Sequence, residues 1–341
     1  MRQEQGFQGK PAGSGTASPE AGPPAAGLAG KAWWQWLKRI AKIAFFAAVG
    51  YLLFTQARSI EWDKVFAALQ QRPLQGLLLA ALLAALSHLL YSCFDLFGRQ
   101  ATGHGLPIPK VMTVNFISYA FNLNFGSLIG GVAFRYRLYS RLGLDAEVIT
   151  RVLFMSMITN WLGYLLLAGL SFWLSPIDVP QNWKIDQQAL RVLGFVLFLV
   201  AVAYVALCAF SKRRSWTVRG REITLPALRV ALLQLGLSSL NWMLIGGIIY
   251  FLLEQKIAYP AVLAVLLVAA VAGVITHVPA GLGVLEAVFI ALLADDLSRN
   301  TMLAGLLAYR AIYYLVPLTV AIVLYLVTEA RAKKAALDKT A

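Results

Sequence analysis

The sequence predicts an all-α integral membrane protein of six transmembrane helices plus two re-entrant helical hairpins, laid out as an inverted internal repeat. Three observations carry that reading. Of 341 residues, 59% are hydrophobic and 13% charged, with a mean hydropathy of +0.68, whereas soluble domains carry about 25% charged residues. Six unbroken apolar runs approach or exceed the roughly 20 residues that a bilayer demands of a helix. Two further apolar stretches, each of about 34 residues, are interrupted near their middle by glycine.

Taken in order, residues 1–30 are rich in Gly, Pro, Ala and Ser and cannot bury enough apolar surface to offset ordering, so a disordered tail is expected. The polytopic membrane domain then occupies 31–330, and a basic tail 331–341. The domain opens on KAWWQWLKRIAK, whose alternating tryptophans and cations suit the headgroup level. The unbroken runs are Ile40–Thr55, Leu74–Phe97, Val148–Leu174, Leu190–Phe210, Leu225–Leu253 and Thr301–Val327. The first of these lacks a small-residue cleavage site, so it reads as a span and not as a signal peptide.

The broken stretches are Val111–Leu144, which holds NLNFGSLIGG with Gly130 and Gly131, and Ala261–Ala294, which holds HVPAGLG with Pro279, Gly281 and Gly283. Proline cannot continue a helix, and glycine adopts dihedrals that other residues avoid. Backbone freed from a helix at membrane depth survives only where protein or a water-filled cavity satisfies it, so each break marks an internal site.

The net charge of +14 comes from Lys and Arg spread over short segments between apolar runs. Without a basic domain this pattern excludes nucleic acid as a partner and serves as a topology signal. If both broken stretches enter and leave by one face, Arg99 and Lys110, Arg135, Arg137 and Arg141, and the cluster from Lys212 to Arg221 all face the cytoplasm. Both basic termini do so too. The expected location is a bacterial inner membrane.

The two halves, about 35–175 and 185–328, repeat one order at an offset of about 150 residues: plain span, polar-striped span, broken hairpin, polar-striped span. His88, Tyr91, Ser92 and Asp95 answer to Gln234, Ser238 and Asn241. Ser156, Thr159, Asn160 and Gly163 answer to Arg310, Tyr313, Tyr314 and Pro317. Each unit makes an odd number of crossings, so the second must be inverted, as in many secondary transporters whose sites lie at the repeat interface.

Arg310, deep in an apolar helix, needs a partner. Glu286 in the second hairpin is the candidate, either as a structural ion pair or as part of substrate or proton handling. Arg135 and Arg137 follow the first break, and guanidinium groups match phosphate, although cytoplasmic arginines serve topology equally well. Asn122, Asn124 and Asn160 either line a cavity or pair across helices. Asp95 falls near the end of its span and carries little signal. No P-loop, GxSxG, HExxH or dinucleotide fingerprint occurs, so no catalytic residue is assigned and an enzyme is not expected. Cys93 and Cys208 lie in apolar runs and His88, His104 and His277 are scattered, so no metal or other cofactor is expected.

Together, GGVAFRYRLYSRLGLD and THVPAGLGVLEAVFIALL resemble the transmembrane-region family of the lysylphosphatidylglycerol synthases over about residues 35–330. The most specific part is Pro279, Gly281, Leu282, Gly283 and Glu286, backed by Gly130, Gly131, Arg135 and Arg137. Ala280 stands where that family often has glycine. In two-domain relatives, the resemblance implies, this region moves an aminoacylated anionic phospholipid between leaflets while a separate domain makes it. The expected function is therefore transport of an anionic phospholipid or related polar-headed amphiphile, with membrane phospholipids as partners. The alternative is a non-transporting protein that binds lipid or scaffolds a lipid-synthesising enzyme.

Overall fold

The computed structural model describes residues 60–174, 186–213, 215–218, 221–276, 278, 281–337 and scattered positions between 33 and 58. Two units, 1–59 and 60–341, are compact separately. In the first, the described positions of the span expected at Ile40–Thr55 are helical. The expected tail at 1–30 lies outside the described residues, as do His277, Pro279 and Ala280 of the second break.

The second unit runs α1 (Trp62–Gln70), α2 (Leu74–Ser92), α3 (Phe94–Thr102), α4 (Ile108–Phe125), a π-helical turn (Ser127–Ala133), α5 (Phe134–Arg141), α6 (Ala146–Leu174) and α7 (Gln187–Phe210). It continues through strands β1 (Ser215–Val218) and β2 (Arg221–Thr224) to α8 (Leu228–Leu252), α9 (Tyr259–Thr276), α10 (Val284–Leu293), α11 (Arg299–Arg310), a second π turn (Ala311–Leu315) and α12 (Val316–Leu337).

Among the described residues, six helical segments are long and apolar enough to cross a membrane: 74–102, 146–174, 187–210, 228–252, 259–276 and 299–331. Five match expected spans. The sixth, α9, is the first arm of the second broken stretch, while its second arm, α10, has only 10 residues. The exposed face of α7 is apolar, with Val192, Val196, Leu199 and Leu207 all outward. That pattern belongs to hydrocarbon and not to water.

What holds the bundle together is close backbone approach plus buried hydrogen bonds, as expected where lipid removes the hydrophobic force between helices. A Cβ at Gly163 would overlap the backbone of Ser238 and Ser239, so α6 and α8 meet there at a distance only glycine permits. Ser238 Oγ exploits the approach, donating to the Asn160 carbonyl at 2.9 Å and accepting from Gly163 N at 3.2 Å. One turn away, Gln234 Nε2 donates to Thr159 Oγ1 at 2.8 Å. The polar stripes thus serve largely as contacts between helices.

The 150-residue offset of the sequence pattern recurs in the helix starts. α2 and α8 begin at Leu74 and Leu228, and α4 and α9, each of 18 residues, at Ile108 and Tyr259. One element departs from an all-helical reading. Ser215–Val218 and Arg221–Thr224 pair antiparallel within the segment read as a basic loop, with Trp216 opposite Ile223. Two alternating runs of four flank an Arg-Gly pair there, which is a hairpin signal.

Candidate functional site: a cavity between two broken helices

At the first break, α4 stops at Gly126, whose φ of +84° is costly for residues with a Cβ. The chain then folds back along α4 as the π turn. A Cβ at Gly130 would overlap the backbone of Phe121 and Asn122, so glycine is what allows the two arms to touch. Phe134 closes the fold by stacking on Phe121 with centroids 4.0 Å apart.

Arg135, next in the chain, is buried and spends its donors on protein. Its Nε and Nη2 reach the two oxygens of Asp95 at 3.1 and 3.3 Å, Nη1 donates to the Gly131 carbonyl at 3.0 Å, and Nη2 also donates to Asn115 Oδ1. The Tyr139 hydroxyl adds a 2.8 Å bond to Asp95, whose carboxylate is fully buried. Four elements, α3, α4, the π turn and α5, are thereby tied at one point. Arg137 points elsewhere: Nε donates to the Tyr325 hydroxyl at 2.8 Å and Nη2 to Glu329 at 2.9 Å, and Arg141 also pairs with Glu329.

At the second break the chain turns through Gly281 (φ +57°) and Gly283 (φ +78°) into α10, which packs against α9. Glu286 lies in the first turn of α10 and Arg310 at the last position of α11, before the second π turn. They form a forked pair, Nε to Oε1 at 2.6 Å and Nη2 to Oε2 at 3.0 Å. Nη2 also donates to the Gly281 carbonyl at 2.9 Å, so the arginine caps backbone that the break sets free. Its guanidinium carbon lies 5.6 Å from the Tyr314 ring centroid.

A cavity of about 640 Å³ separates the two breaks. Asn122, Gly126 and Ser127 line it from the first, and Gly273, Gly281 and Leu285 from the second. Tyr119, Trp242, Tyr313 and Tyr314 are among the other residues of its wall. Behind it runs a buried chain of hydrogen bonds: Tyr119 and Ser87 each lie 2.9 Å from the Tyr313 hydroxyl, and Ser87 Oγ donates to Asn241 Oδ1 at 2.7 Å. This chain joins α2, α4, α8 and the second π turn. The cavity falls within the roughly 300–1,000 Å³ of small-molecule sites, and its few polar groups amid apolar wall suit an amphiphile.

Of the residues expected to bind substrate, Asn122 lines the cavity, and Glu286 and Arg310 stand behind Gly281. Arg135, Arg137, Asn124 and Asn160 lie away from it. Asn124 donates to the carbonyls of Ala120 (2.9 Å) and Tyr314 (3.3 Å), and Asn160 offers its carbonyl to Ser238 and Trp242. Sequence reasoning missed Asn115 and dismissed Asp95, although a carboxylate seven residues into a helix-spaced polar stripe was a usable signal. It also missed the two π turns, a feature frequent at functional sites.

The sequence matches a family model described as the lysylphosphatidylglycerol synthase TM region over residues 39–321. It is 47% identical to the inner membrane protein YbhN of Escherichia coli K12, over 88% of this chain and 95% of that one. A Synechocystis protein, slr0712, is 30% identical over 84% of this chain and 90% of its own. Phosphatidylglycerol lysyltransferase of Staphylococcus haemolyticus is 23% identical over 84% of this chain, which corresponds to 34% of that longer protein. With a match over most of its length and a bundle of apolar helices to go with it, this chain is a multi-pass membrane protein belonging to the lysylphosphatidylglycerol synthase transmembrane-region family.

Proposed function

We propose that this protein moves a polar-headed anionic amphiphile, most simply a phospholipid, between the leaflets of the membrane by alternating exposure of the cavity between the breaks. The observation that carries this reading is that one cavity is lined by the interrupted backbone of both stretches. Backbone interrupted at membrane depth needs a protein or aqueous lining, and inverted-repeat transporters place their sites at such junctions. Each broken stretch acts as a re-entrant hairpin, and the halves are related by inversion.

Arg310 supplies the anion selectivity. A phosphate matches its fork as well as a carboxylate does, so an arriving headgroup competes with Glu286 and the Gly281 carbonyl for the same donors. Exchange of partners shifts α10 relative to α11 and opens the cavity to the other side. Acyl chains stay in lipid, which avoids most of the cost of carrying charge through hydrocarbon. Relatives that carry lysyltransferase in their name act on phosphatidylglycerol, which supports an anionic lipid here. Because the match covers a third of their length, lysyl transfer is not proposed for this chain. Both termini face the cytoplasm in this scheme, so a cysteine at Lys212 is expected to react only from that side.

The test is reconstitution into liposomes with labelled anionic and zwitterionic lipids. Faster leaflet exchange of the anionic lipid than in protein-free liposomes, lost in Arg310→Ala, is expected. Well-folded protein that leaves exchange at the protein-free rate under several ion gradients overturns the reading. The scaffold reading would then stand, favoured by Arg135, whose donors are consumed in tying four elements together.

A further inference from the structure

A second cavity opens on another side of the bundle. It measures about 440 Å³ and is formed by α2, α4 and the stretch from Ile312 to Leu324. Its walls are almost wholly aliphatic or aromatic, with Ala84, Ala85, Met112, Phe116 and Val320 among them. The rim residues Leu89, Val316 and Val320 are 57%, 59% and 45% exposed on a surface that faces hydrocarbon. The groove is thus entered from the lipid phase.

One residue does not fit an apolar groove. His88 lines it, is 2% exposed, and its Nδ1 lies 3.0 Å from the Ala84 carbonyl. A carbonyl oxygen only accepts, so Nδ1 carries the proton and Nε2 is left as an acceptor. Nε2 has no hydrogen-bond partner among the described residues. Three aromatic rings surround the imidazole, with centroids at 4.7 Å (Tyr313), 5.3 Å (Tyr119) and 5.8 Å (Phe116), but the hydroxyls of Tyr119 and Tyr313 are bonded to each other. The other polar groups of the groove have also spent their protons, Ser92 Oγ on the His88 carbonyl at 2.7 Å and Thr113 Oγ1 on the Pro109 carbonyl at 2.7 Å. The groove therefore holds acceptors and no spare donor. A buried polar atom left unpaired is costly; Nε2 is covered by its neighbours, so a donor entering the groove from the lipid phase displaces them to reach it.

We propose that this groove is a binding site for an uncharged long-chain lipid alcohol, its chain against the aliphatic wall and its hydroxyl donating to Nε2 of His88. The chemistry selects the class. A phosphodiester or fatty-acid anion brings charge without a proton to give, and an ester or ether offers only acceptors. The site is separate from the cavity between the breaks and does not depend on transport. The two share a wall: Tyr119 and Tyr313 line that cavity and flank His88, so an occupant here bears on the residues that bound the other.

The experiment uses full-length protein in detergent and a diazirine-bearing hexadecanol, with labelled positions mapped by mass spectrometry. Labelling is expected on peptides that contain Ala85, Phe116 and Val320. Hexadecanol should compete about three- to tenfold better than its methyl ether, the effect of one net hydrogen bond, and better than hexadecanoate or phosphatidylcholine. In His88→Phe, which keeps an aromatic ring but removes the acceptor, alcohol and ether should compete equally. Equal competition by alcohol and ether on the wild type overturns the proposal, as does labelling elsewhere. Displacement by phosphatidylcholine, whose headgroup has no donor, at equal concentration also overturns it, since the groove would then hold ordinary phospholipid tails. Should His88→Phe fail to fold, the wild-type comparison of alcohol with ether decides alone.

Discussion

The two glycine-broken stretches each end beside a buried arginine held by a carboxylate, yet the arrangements differ in what surrounds them. At the first, the side chains of Arg135 and Asp95 are 5% and 0% exposed, and the pair is wrapped by Asn115, Tyr139 and the Gly131 carbonyl. At the second, Arg310 and Glu286 are 10% and 14% exposed, and Arg310 also bonds backbone that lines a cavity. The first pair has protein on every side; the second stands directly behind Gly281, which lines the cavity. An arginine fully solvated by fixed protein groups acts as a lock, whereas one held to the backbone that lines a cavity is placed to exchange its carboxylate for another anion.

The comparison is broken most sharply by removing one charge from each pair. Asp95→Leu leaves a buried guanidinium unpaired, for which a loss of about 3–5 kcal/mol is typical. We expect folded yield to collapse and the double variant Asp95→Leu/Arg135→Leu to recover part of it, as read by size-exclusion chromatography. Glu286→Gln keeps a neutral acceptor near the cavity, so folded yield should fall by less than half while leaflet exchange drops at least tenfold. Equal damage to yield from Asp95→Leu and Glu286→Gln would erase the distinction between lock and site.

The glycines sharpen it at smaller magnitude. Gly130→Ala drives a methyl group into the backbone of Phe121 and Asn122, and neither arm can move away without opening the hairpin. Gly281→Ala meets nothing within 4 Å, so only its φ of +57° opposes it, at about 1–2 kcal/mol. Thermal stability should therefore fall by more in Gly130→Ala than in Gly281→Ala.

The smallest effect lies outside both breaks. Glu254, in the loop between α8 and α9, accepts from Lys256 and from the buried Arg72, which also donates to the Thr301 carbonyl at 2.8 Å. The bond from Lys256, reinforced by Arg72, holds its carboxyl below the ordinary value of 4.5. A depressed carboxylate stabilises the fold above its unfolded pKa and loses that contribution as pH falls through the folded one. Melting temperature should thus drop modestly below pH 4.5, and Glu254→Gln should flatten that drop.

Much of this was legible in the sequence. Apolar run length gave five of the long helices, because a bilayer fixes helix length, and glycine placement marked both interruptions, although the first helix stops at Gly126 while the expected Gly130 and Gly131 lie inside the π turn that follows. The pairing of Glu286 with Arg310 followed from the cost of each charge alone. The partner of Arg135 did not, since an arginine expected near a loop needs none on energetic grounds, and only the tertiary fold shows that Asp95 and Asn115 converge on it. The π turns were equally hidden: a one-residue change of helical register leaves no mark in composition or hydropathy. The short β-hairpin is masked in the sequence by its cations, which outweigh the alternation of Trp216, Val218 and Ile223.

The central claim, that the cavity between the breaks is the route, is tested most directly by blocking it. In a background with Cys93 and Cys208 replaced by serine, Ser127→Cys places a thiol on the exposed rim of the cavity, and Lys110→Cys places one outside it. After reconstitution, leaflet exchange of a labelled anionic phospholipid is measured before and after reaction with a bulky thiosulfonate. The account predicts that modification at Ser127→Cys stops exchange while the same modification at Lys110→Cys leaves it unchanged. Exchange that continues at full rate with Ser127→Cys completely modified would contradict it.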